Sequence, residues 1–186
     1  MHAVADDRRA RFEREILTHL DSMYAFATRL TQDRHAAEDL VSDTVLRAFD
    51  RWEQYTLGTN ARAWLFTILY RLFVNRLRTE KRETALPNPW DEGSHHEAAG
   101  PSDPEGSLFA SIIDEEVTRA IESLSERYRE AVVLSDVHGF RYAEIAEILG
   151  IAEGTVKSRL FRGRQMLQQK LLRYATEMGY VKPRAA

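Results

Sequence analysis

The residues with the clearest potential for chemistry are arginines and aromatic residues that alternate along residues 61–79. The aromatic residues of this segment are Trp64, Phe66, Tyr70 and Phe73, and its arginines are Arg62, Arg71, Arg76 and Arg78. Flat rings replace the stacking that an unpaired base loses, and cations hold its phosphates, so this mixture suits single-stranded nucleic acid. The alternative is that Trp64, Phe66 and Phe73 are core residues. A purely structural role is less expected for Arg71, Asn75 and Arg76, because they lie beside the apolar face of the helix and not in it.

A second basic surface is predicted near the C-terminus, on the later of two helices. Apolar residues recur at steps of three and four in residues 142–149, and Gly150 follows, where a helix commonly ends in the left-handed conformation. The next helix has Val156 and Leu160 on its inner side. Its outer side carries Lys157, Ser158, Arg159, Arg162 and Arg164. This pattern is typical of a helix-turn-helix that places its second helix in the major groove. A helical hairpin with merely solvated arginines is the alternative.

No arrangement of residues indicates catalysis. Ser135, Asp136 and His138 are the residue types of a hydrolase triad, but close neighbours on one helix cannot form that relay, and no nucleophile elbow is present. A glycine-rich phosphate loop followed by lysine is also absent from the sequence. The chain has no cysteine, which excludes disulfides and thiolate zinc sites within it. We therefore expect a protein that is not an enzyme, with no catalytic residue, no metal and no cofactor.

The overall charge argues against strong DNA binding by the chain alone. The formal net charge of the 186 residues is −3, so any contact with DNA must come from local patches. No apolar run approaches the length that spans a bilayer, and the first residues lack the core of a signal peptide. The expected location is the cytoplasm.

Helical periodicity without any strand pattern predicts an all-α fold. The predicted helices before the helix-turn-helix are residues 8–30, 36–52, 61–79, 112–121 and 125–138. Residues 84–107 contain four prolines, three glycines and five acidic residues, with no lysine or arginine, as flexible linkers do. We predict two small helical domains, residues 8–83 and 108–174, joined by this flexible acidic linker.

Three motifs, in this order, resemble the group 4, extracytoplasmic-function (ECF) sigma factors of bacterial RNA polymerase. They are AEDLVSDT at residues 37–44, AWLFTI at residues 63–68 and GTVKSRLFRGR at residues 154–164. The resemblance extends over about residues 10–173. The phrase GTNARAWL at residues 58–65 further resembles the subgroup that answers thiol-oxidative stress, whose usual regulator is a zinc-binding anti-sigma protein.

For the first domain, the resemblance implies contacts with polymerase and with melted promoter DNA. Residues 36–52 match the segment that docks on the clamp helices of the polymerase β′ subunit. Residues 50–78 match the part that captures an unpaired −10 base and melts the promoter. The implied polymerase-interface residues are Glu38, Asp39, Asp43, Arg47 and Phe49. The implied −10 residues are Trp52, Tyr55, Asn60, Arg62, Trp64, Arg71, Asn75 and Arg76. The loop 50–60 is long compared with some relatives, which leaves the base identity at −10 open.

For the second domain, the resemblance implies that the second helix of the helix-turn-helix reads the −35 element. The implied −35 residues are Thr155, Lys157, Ser158, Arg159, Phe161 and Arg162. The implied partners are core RNA polymerase, through its β′ clamp helices and β flap, promoter DNA and an anti-sigma factor, of the zinc-binding type if the subgroup resemblance holds. The linker would run toward the RNA exit path. We expect a monomer without membrane insertion that acts in a stress response.

Two other functions remain as alternatives. An autonomous, dimeric helix-turn-helix regulator would bind a palindromic site without polymerase, although the acidic net charge and the lack of an evident dimerisation helix argue against it. An α-helical interaction module without a DNA role would leave the arginine and aromatic pattern unexplained.

Overall fold

The computed structural model of the chain describes residues 2–56, 58–84 and 115–179. Every regular element among these residues is helical, which confirms the all-α prediction. The chain divides into two units, Met1–Ser102 and Asp103–Ala186. Of the predicted linker, only Thr84 is described, as the last residue of a helix. The rest of the linker and the predicted start of the second domain at residues 108–114 lie outside the described residues.

The part of the first unit that the structure describes is a bundle of four α-helices. They are α1 (His2–Ile16), α2 (Leu20–Thr31), α3 (Arg34–Asp50) and α4 (Ala61–Thr84). Phe26 of α2 stacks on Phe66 of α4, with ring centroids 5.1 Å apart. Leu40 of α3 and Leu65 of α4 are fully buried. Burial of large apolar side chains such as these is the main force that holds such a bundle together.

The prediction of one continuous helix over residues 8–30 is wrong. A 3-10 turn, Leu17–His19, separates α1 from α2. The hydroxyl of Ser22 donates to the carbonyl of His19 at 2.9 Å. Side-chain hydroxyls that bond to nearby carbonyls can compete with the helical ladder, and this contact lies at the interruption. The apolar stripe runs through both helices with the same spacing, so periodicity alone conceals the break.

The starts of α3 and α4 are fixed by side-chain caps. The carboxylate of Asp33 accepts a hydrogen bond from the backbone N–H of Ala36 at 2.7 Å. The amide oxygen of Asn60 accepts one from the N–H of Ala63 at 3.1 Å. Such caps satisfy donors that a helix leaves open in its first turn. Asn60, expected to contact DNA, therefore also starts the helix that carries the arginines.

The described residues of the second unit, 115–179, form four further α-helices and a π-helical turn. They are α5 (Glu115–Glu122), α6 (Glu126–Val132), the π turn (Val133–Val137), α7 (Tyr142–Leu149) and α8 (Glu153–Glu177). The helix predicted for residues 125–138 is confirmed in position, but its last part, Val133–Val137, is π-helical, which was not predicted. Ser125 occupies the N-cap position of α6, but its side chain makes no capping hydrogen bond.

Helices α7 and α8 form the predicted helix-turn-helix. Gly150 ends α7 in the left-handed conformation, with φ +66°, and the N–H of Ile151 donates to the carbonyl of Ala146 at 3.0 Å. Val156 and Leu160 of α8 are buried, as predicted. Behind them, Gly163 lies so close to α6 that an added Cβ would stand 2.7 Å from a methyl carbon of Val132. Glycine at this position fixes how closely α8 approaches α6.

Candidate nucleic-acid interface

The exposed face of α8 carries most of the residues predicted to read the −35 element. Phe161 is 71% exposed, far more than a large aromatic side chain usually is. It borders an open groove of about 470 Å³ that is lined by Tyr142, Lys157, Leu160, Phe161, Arg164, Gln165 and Gln168. Of the other −35 candidates, Thr155, Lys157, Ser158 and Arg162 are exposed, and Arg159 is half-buried. The helix thus presents cations, hydroxyls and an aromatic ring together.

Two contacts restrain polar side chains on this face. The ammonium of Lys157 lies 2.9 Å from the carboxylate of Glu153, one turn earlier on α8. The hydroxyl of Ser158 donates to the carbonyl of Thr155 at 2.9 Å. The cation of Lys157 is therefore partly balanced within the helix.

Arg164, counted in the sequence among the outward-facing basic residues, is held by the rest of the unit. Its guanidinium donates to both carboxylate oxygens of Asp136, to the hydroxyl of Ser135 at 3.0 Å and to that of Tyr142 at 3.4 Å. The hydrogen bonds with Asp136 raise the pKa of Arg164 above its already high ordinary value. The triad-like set of Ser135, Asp136 and His138 thus supplies two acceptors for an arginine. Arg164 joins α8 to the π turn and to α7.

Arg162 is also oriented by a neighbouring helix. A hydrogen bond from Arg162 to the hydroxyl of Tyr128 lowers the pKa of that phenol, and burial opposes the shift. The guanidinium of Arg127 lies 4.7 Å from the centroid of the same ring, within cation–π distance. Tyr128 itself is buried. The charge of Arg162 therefore acts on the phenol of Tyr128 on α6.

In the first unit, the two aromatic residues predicted in the loop are inside the protein. Trp52 is 8% exposed and Tyr55 is 7% exposed. Trp52 packs edge-on against Phe12 of α1, with centroids 5.4 Å apart, and stacks on Tyr55 at 5.1 Å. Tyr55 also contacts the half-buried Trp64 at 5.1 Å. These rings form the wall behind the loop, and they offer little area to an incoming base.

The polar −10 candidates lie further out. Arg71 and Asn75 are exposed on successive turns of α4, and Asn60 is exposed at its start. The guanidinium of Arg62 lies 5.5 Å from the centroid of Phe66. Phe66 and Phe73 are buried, so the core interpretation is right for them. Arg76 is half-buried and forms an ion pair with Asp43 of α3.

The predicted polymerase-docking face is the outer side of α3. Glu38, Asp39, Asp43 and Arg47 are exposed there, and Phe49 is 37% exposed with its ring edge-on to Phe12. The sequence interpretation missed Leu46, which is 64% exposed between them. Leu46 falls outside the apolar stripe of this helix, and a large aliphatic residue out of register was the available signal.

Among the described residues, clusters of metal-ligating side chains and membrane-spanning helices are both absent. No group of three or more histidine, aspartate or glutamate residues there is arranged to hold a metal ion. No described helix is long and apolar enough to cross a membrane.

Comparison with known proteins matches both units to regions of one family. Residues 16–83 match the family model "Sigma-70 region 2", and residues 114–167 match "Sigma-70, region 4". The ECF RNA polymerase sigma factor EcfG of Rhodopseudomonas palustris is 36% identical over 84% of this chain and 83% of its own length. The ECF sigma factor SigE of Mycolicibacterium smegmatis is 37% identical over 86% of this chain, which spans 61% of that relative.

A solved structure agrees with these matches. The sigma factor RpoE of Bartonella quintana, crystallised in complex with the anti-sigma factor NepR, superposes with a TM-score of 0.68 at 36% identity. The superposition covers 87% of this chain and 96% of that one. Both helical units, their order along the chain and the sequence identity lead to one conclusion: the chain belongs to the ECF group of the sigma-70 family of RNA polymerase sigma factors.

Proposed function

We propose that this chain is a promoter-specificity subunit that directs bacterial RNA polymerase in a stress response and carries out no chemical step itself. One observation carries the proposal. Each unit has an exposed face whose side chains suit one of the contacts that a promoter-specificity subunit needs. The outer face of α8 suits duplex DNA, and the surface of α3, α4 and the loop before α4 suits polymerase and single-stranded DNA. We assign residues 8–83 to region 2, 84–107 to the linker and 108–174 to region 4.

The exposed side of α8 reads the −35 element in this proposal. Arg162 and Lys157 can donate to guanine, and Phe161 offers an apolar contact to a thymine methyl group. Ser158 can bond to a base edge or to a phosphate. Thr155 and Arg159 lie at the sides of this row, where contact with the sugar-phosphate backbone positions the helix without reading sequence.

The loop and α4 capture and hold the melted −10 strand. Asn60, Arg62, Arg71, Asn75 and Arg76 supply the polar and cationic groups that an unpaired strand requires. Because they are buried, Trp52 and Tyr55 contribute by fixing the loop from behind, and Trp64 closes the same wall. In this proposal, Trp52 and Tyr55 support the loop, and a base does not stack directly on either ring.

The outer face of α3 docks on the β′ clamp helices. Its centre is the exposed apolar pair Leu46 and Phe49, with the charged residues Glu38, Asp39, Asp43 and Arg47 around it. An apolar centre within a charged rim is the usual arrangement of a protein interface. Region 4 contacts the β flap, as the family resemblance implies, and the chain acts as a monomer.

An anti-sigma factor holds the free chain inactive. The similar RpoE from Bartonella quintana is complexed with the anti-sigma factor NepR, which favours a NepR-like partner. The motif at residues 58–65 favours a zinc-binding partner. Treating the purified complex with a zinc chelator distinguishes them, because release of the sigma factor by the chelator requires the zinc-binding type.

Run-off transcription tests the main proposal. The full chain and core RNA polymerase, separately and together, are incubated with promoter duplexes that carry random −10 and −35 segments. We expect strand-specific, sequence-dependent transcripts only from the combined sample, with little binding of duplex DNA by the chain alone. Sequence-specific retardation of a palindromic duplex without polymerase, and no transcript with it, would support the autonomous regulator instead.

A further inference from the structure

Helix α8 carries basic residues along most of its length but begins with an acid. Its basic residues are Lys157, Arg159, Arg162, Arg164, Lys170 and Arg173, and its acidic residues, Glu153 and Glu177, stand at its two ends. Glu153 is therefore the single carboxylate in the half of α8 that carries the −35 candidates. A carboxylate repels phosphates, so at this surface it weakens the binding of DNA unless it has a further role.

Glu153 is paired with one of the −35 candidates. The ammonium nitrogen of Lys157 lies 2.9 Å from a carboxylate oxygen of Glu153, and the two side chains are 60% and 47% exposed. Lys157 also lines the open groove next to Phe161. The paired ammonium therefore lies on the face of α8 that enters the major groove in the proposed function.

A lysine without such a partner discriminates poorly between bases and phosphates. Its ammonium is a compact charge on a flexible chain, with three protons to donate. It can bond to the edge of guanine, which reads sequence, or to a phosphate, which adds affinity for any sequence. The conformation of the side chain decides between these contacts.

Glu153 favours the base contact in two ways. Its carboxylate takes one of the three ammonium protons and keeps the side chain of Lys157 along the helix. Its negative charge also repels a phosphate that approaches the same ammonium, and this repulsion grows when DNA excludes water from the pair. Two protons stay available, which suffices for the O6 and N7 acceptors of guanine.

A purely structural role for Glu153 is the alternative. An acid in the first turn stabilises the start of a helix through the helix dipole, and Ala152 at the N-cap of α8 provides no side-chain cap. That role needs neither the lysine at position 157 nor DNA. The two roles therefore differ in what the loss of Glu153 does once Lys157 has been removed.

We propose that Glu153 is a positioning residue that restrains Lys157 for base recognition at the −35 element and keeps its ammonium from the phosphates. This inference rests on the proposed function, and it adds to the −35 surface a residue that the family resemblance does not imply. Glu153 acts through Lys157 and does not itself bond to DNA. Loss of its charge increases the affinity for DNA and lowers the discrimination between −35 sequences.

The test is a double-mutant cycle in reconstituted holoenzyme. A promoter is first selected by wild-type holoenzyme from a random pool. Dissociation constants of the closed complex are then measured at low temperature and several salt concentrations, on this promoter and on versions changed at single −35 positions.

The slope of log K against the logarithm of the salt concentration reports the number of phosphates that are neutralised, at about −0.9 for each. We expect Glu153→Gln to steepen this slope by about 0.9, because Lys157 gains a phosphate contact. The preference for the selected −35 element should fall about fivefold, since the same ammonium then contributes less to a base contact. In the Lys157→Ala background, Glu153→Gln should change neither quantity, because no ammonium remains to be released.

Two results would overturn the inference. They are an unchanged slope in Glu153→Gln, and an equal change of slope and preference with and without Lys157. Glu177→Gln is the matched control, because Glu177 pairs with Arg173 over the same spacing at the other end of α8, and it should leave both quantities unchanged. If Glu153→Gln does not fold, Glu153→Ala, with its high helix propensity, carries the same expectation. Failure of the wild-type holoenzyme to transcribe any member of the pool would instead reject the proposed function.

Discussion

Arg76 of α4 donates a hydrogen bond to Asp43 of α3, with the guanidinium nitrogen 2.5 Å from the carboxylate oxygen. The family resemblance implies that Arg76 contacts the −10 strand and that Asp43 contacts polymerase. The ion pair brings the two expected surfaces together at one edge of the bundle. Binding of either partner therefore acts on the residue expected to serve the other.

The first prediction concerns this pair. Both side chains retain solvent exposure, so solvent screening keeps its contribution to stability small. We expect Asp43→Ala to lower the free energy of unfolding by less than about 1 kcal/mol, while transcription falls. Urea denaturation of Asp43→Ala, Arg76→Ala and the double variant checks this. A coupling energy above about 2 kcal/mol would contradict the expectation.

The second prediction concerns Gly163, which faces Val132 of α6. A Cβ there would lie 2.7 Å from a methyl carbon of Val132, so Gly163→Ala forces the helices apart. We expect a loss of about 1–3 kcal/mol, measured by thermal or urea denaturation. Gly154→Ala is the matched control on the same helix, because nothing lies within 4 Å of its added Cβ. It should be neutral or slightly stabilising.

The third prediction concerns Arg164 and its three partners. Arg164→Gln removes both bonds to Asp136, and we expect the second unit to lose about 1 kcal/mol after allowance for the partial exposure of the pair. Because α8 then loses a tie to the π turn and to α7, transcription should fall for all −35 sequences alike. Arg173→Gln, which breaks the exposed pair with Glu177, is the control and should leave both quantities nearly unchanged. A change in preference at a single −35 base would show that Arg164 reads sequence.

The fourth prediction concerns Phe161. Its side chain is 71% exposed, so Phe161→Ala should change the free energy of unfolding by less than about 0.5 kcal/mol. Transcription should nevertheless fall about tenfold at promoters with a preferred −35 element, since one good base contact is worth about 1–3 kcal/mol. Run-off transcription on promoters that vary at each −35 position measures this loss of transcription. Leu172→Ala, an exposed apolar residue of the same helix at 52%, should leave transcription unchanged.

The fifth prediction is a pH dependence of stability. Burial lowers the pKa of His19 below 6.5, the Arg62 charge adds to this, and Glu15 opposes it. The folded state then binds fewer protons than the unfolded state, so stability falls as the pH drops below 6.5 toward the folded-state pKa. Thermal midpoints between pH 8 and pH 5 should fall less steeply for His19→Gln than for the wild type. His35→Gln, at an exposed site on α3, is the control.

The sequence predicts the helices of both units well, because their apolar faces repeat at helical spacing. It also predicts the turn at Gly150, which depends on local residue chemistry. The break at residues 17–19 and the π turn have no signal in the local spacing of apolar residues, and so they are missed. The ECF family, its two regions and the exposed face of α8 are recognisable from motifs alone.

The contacts between distant residues could not be predicted. Nothing in the order of residues pairs Arg76 with Asp43, Arg164 with Asp136 or Tyr55 with Glu15, because each pair is created by the packing of separate elements. For the same reason the sequence could not show that Trp52 and Tyr55 are buried. Both rings suit base stacking, and only the position of α1 shows that they are covered.

The π turn at residues 133–137 has a consequence for how this chain compares with other sequences. A turn of this kind contains one residue more than an α-helical turn, so every later residue is displaced by one position and rotated by about 100° around the helix axis. Asp136 lies within this turn and accepts from Arg164 there. A deletion of one residue within 133–137 would restore a regular helix and carry the carboxylate to another side. A sequence that lacks one residue here would therefore differ in geometry. Its equivalents of Arg164 and Asp136 would lie apart even if both side chains were unchanged.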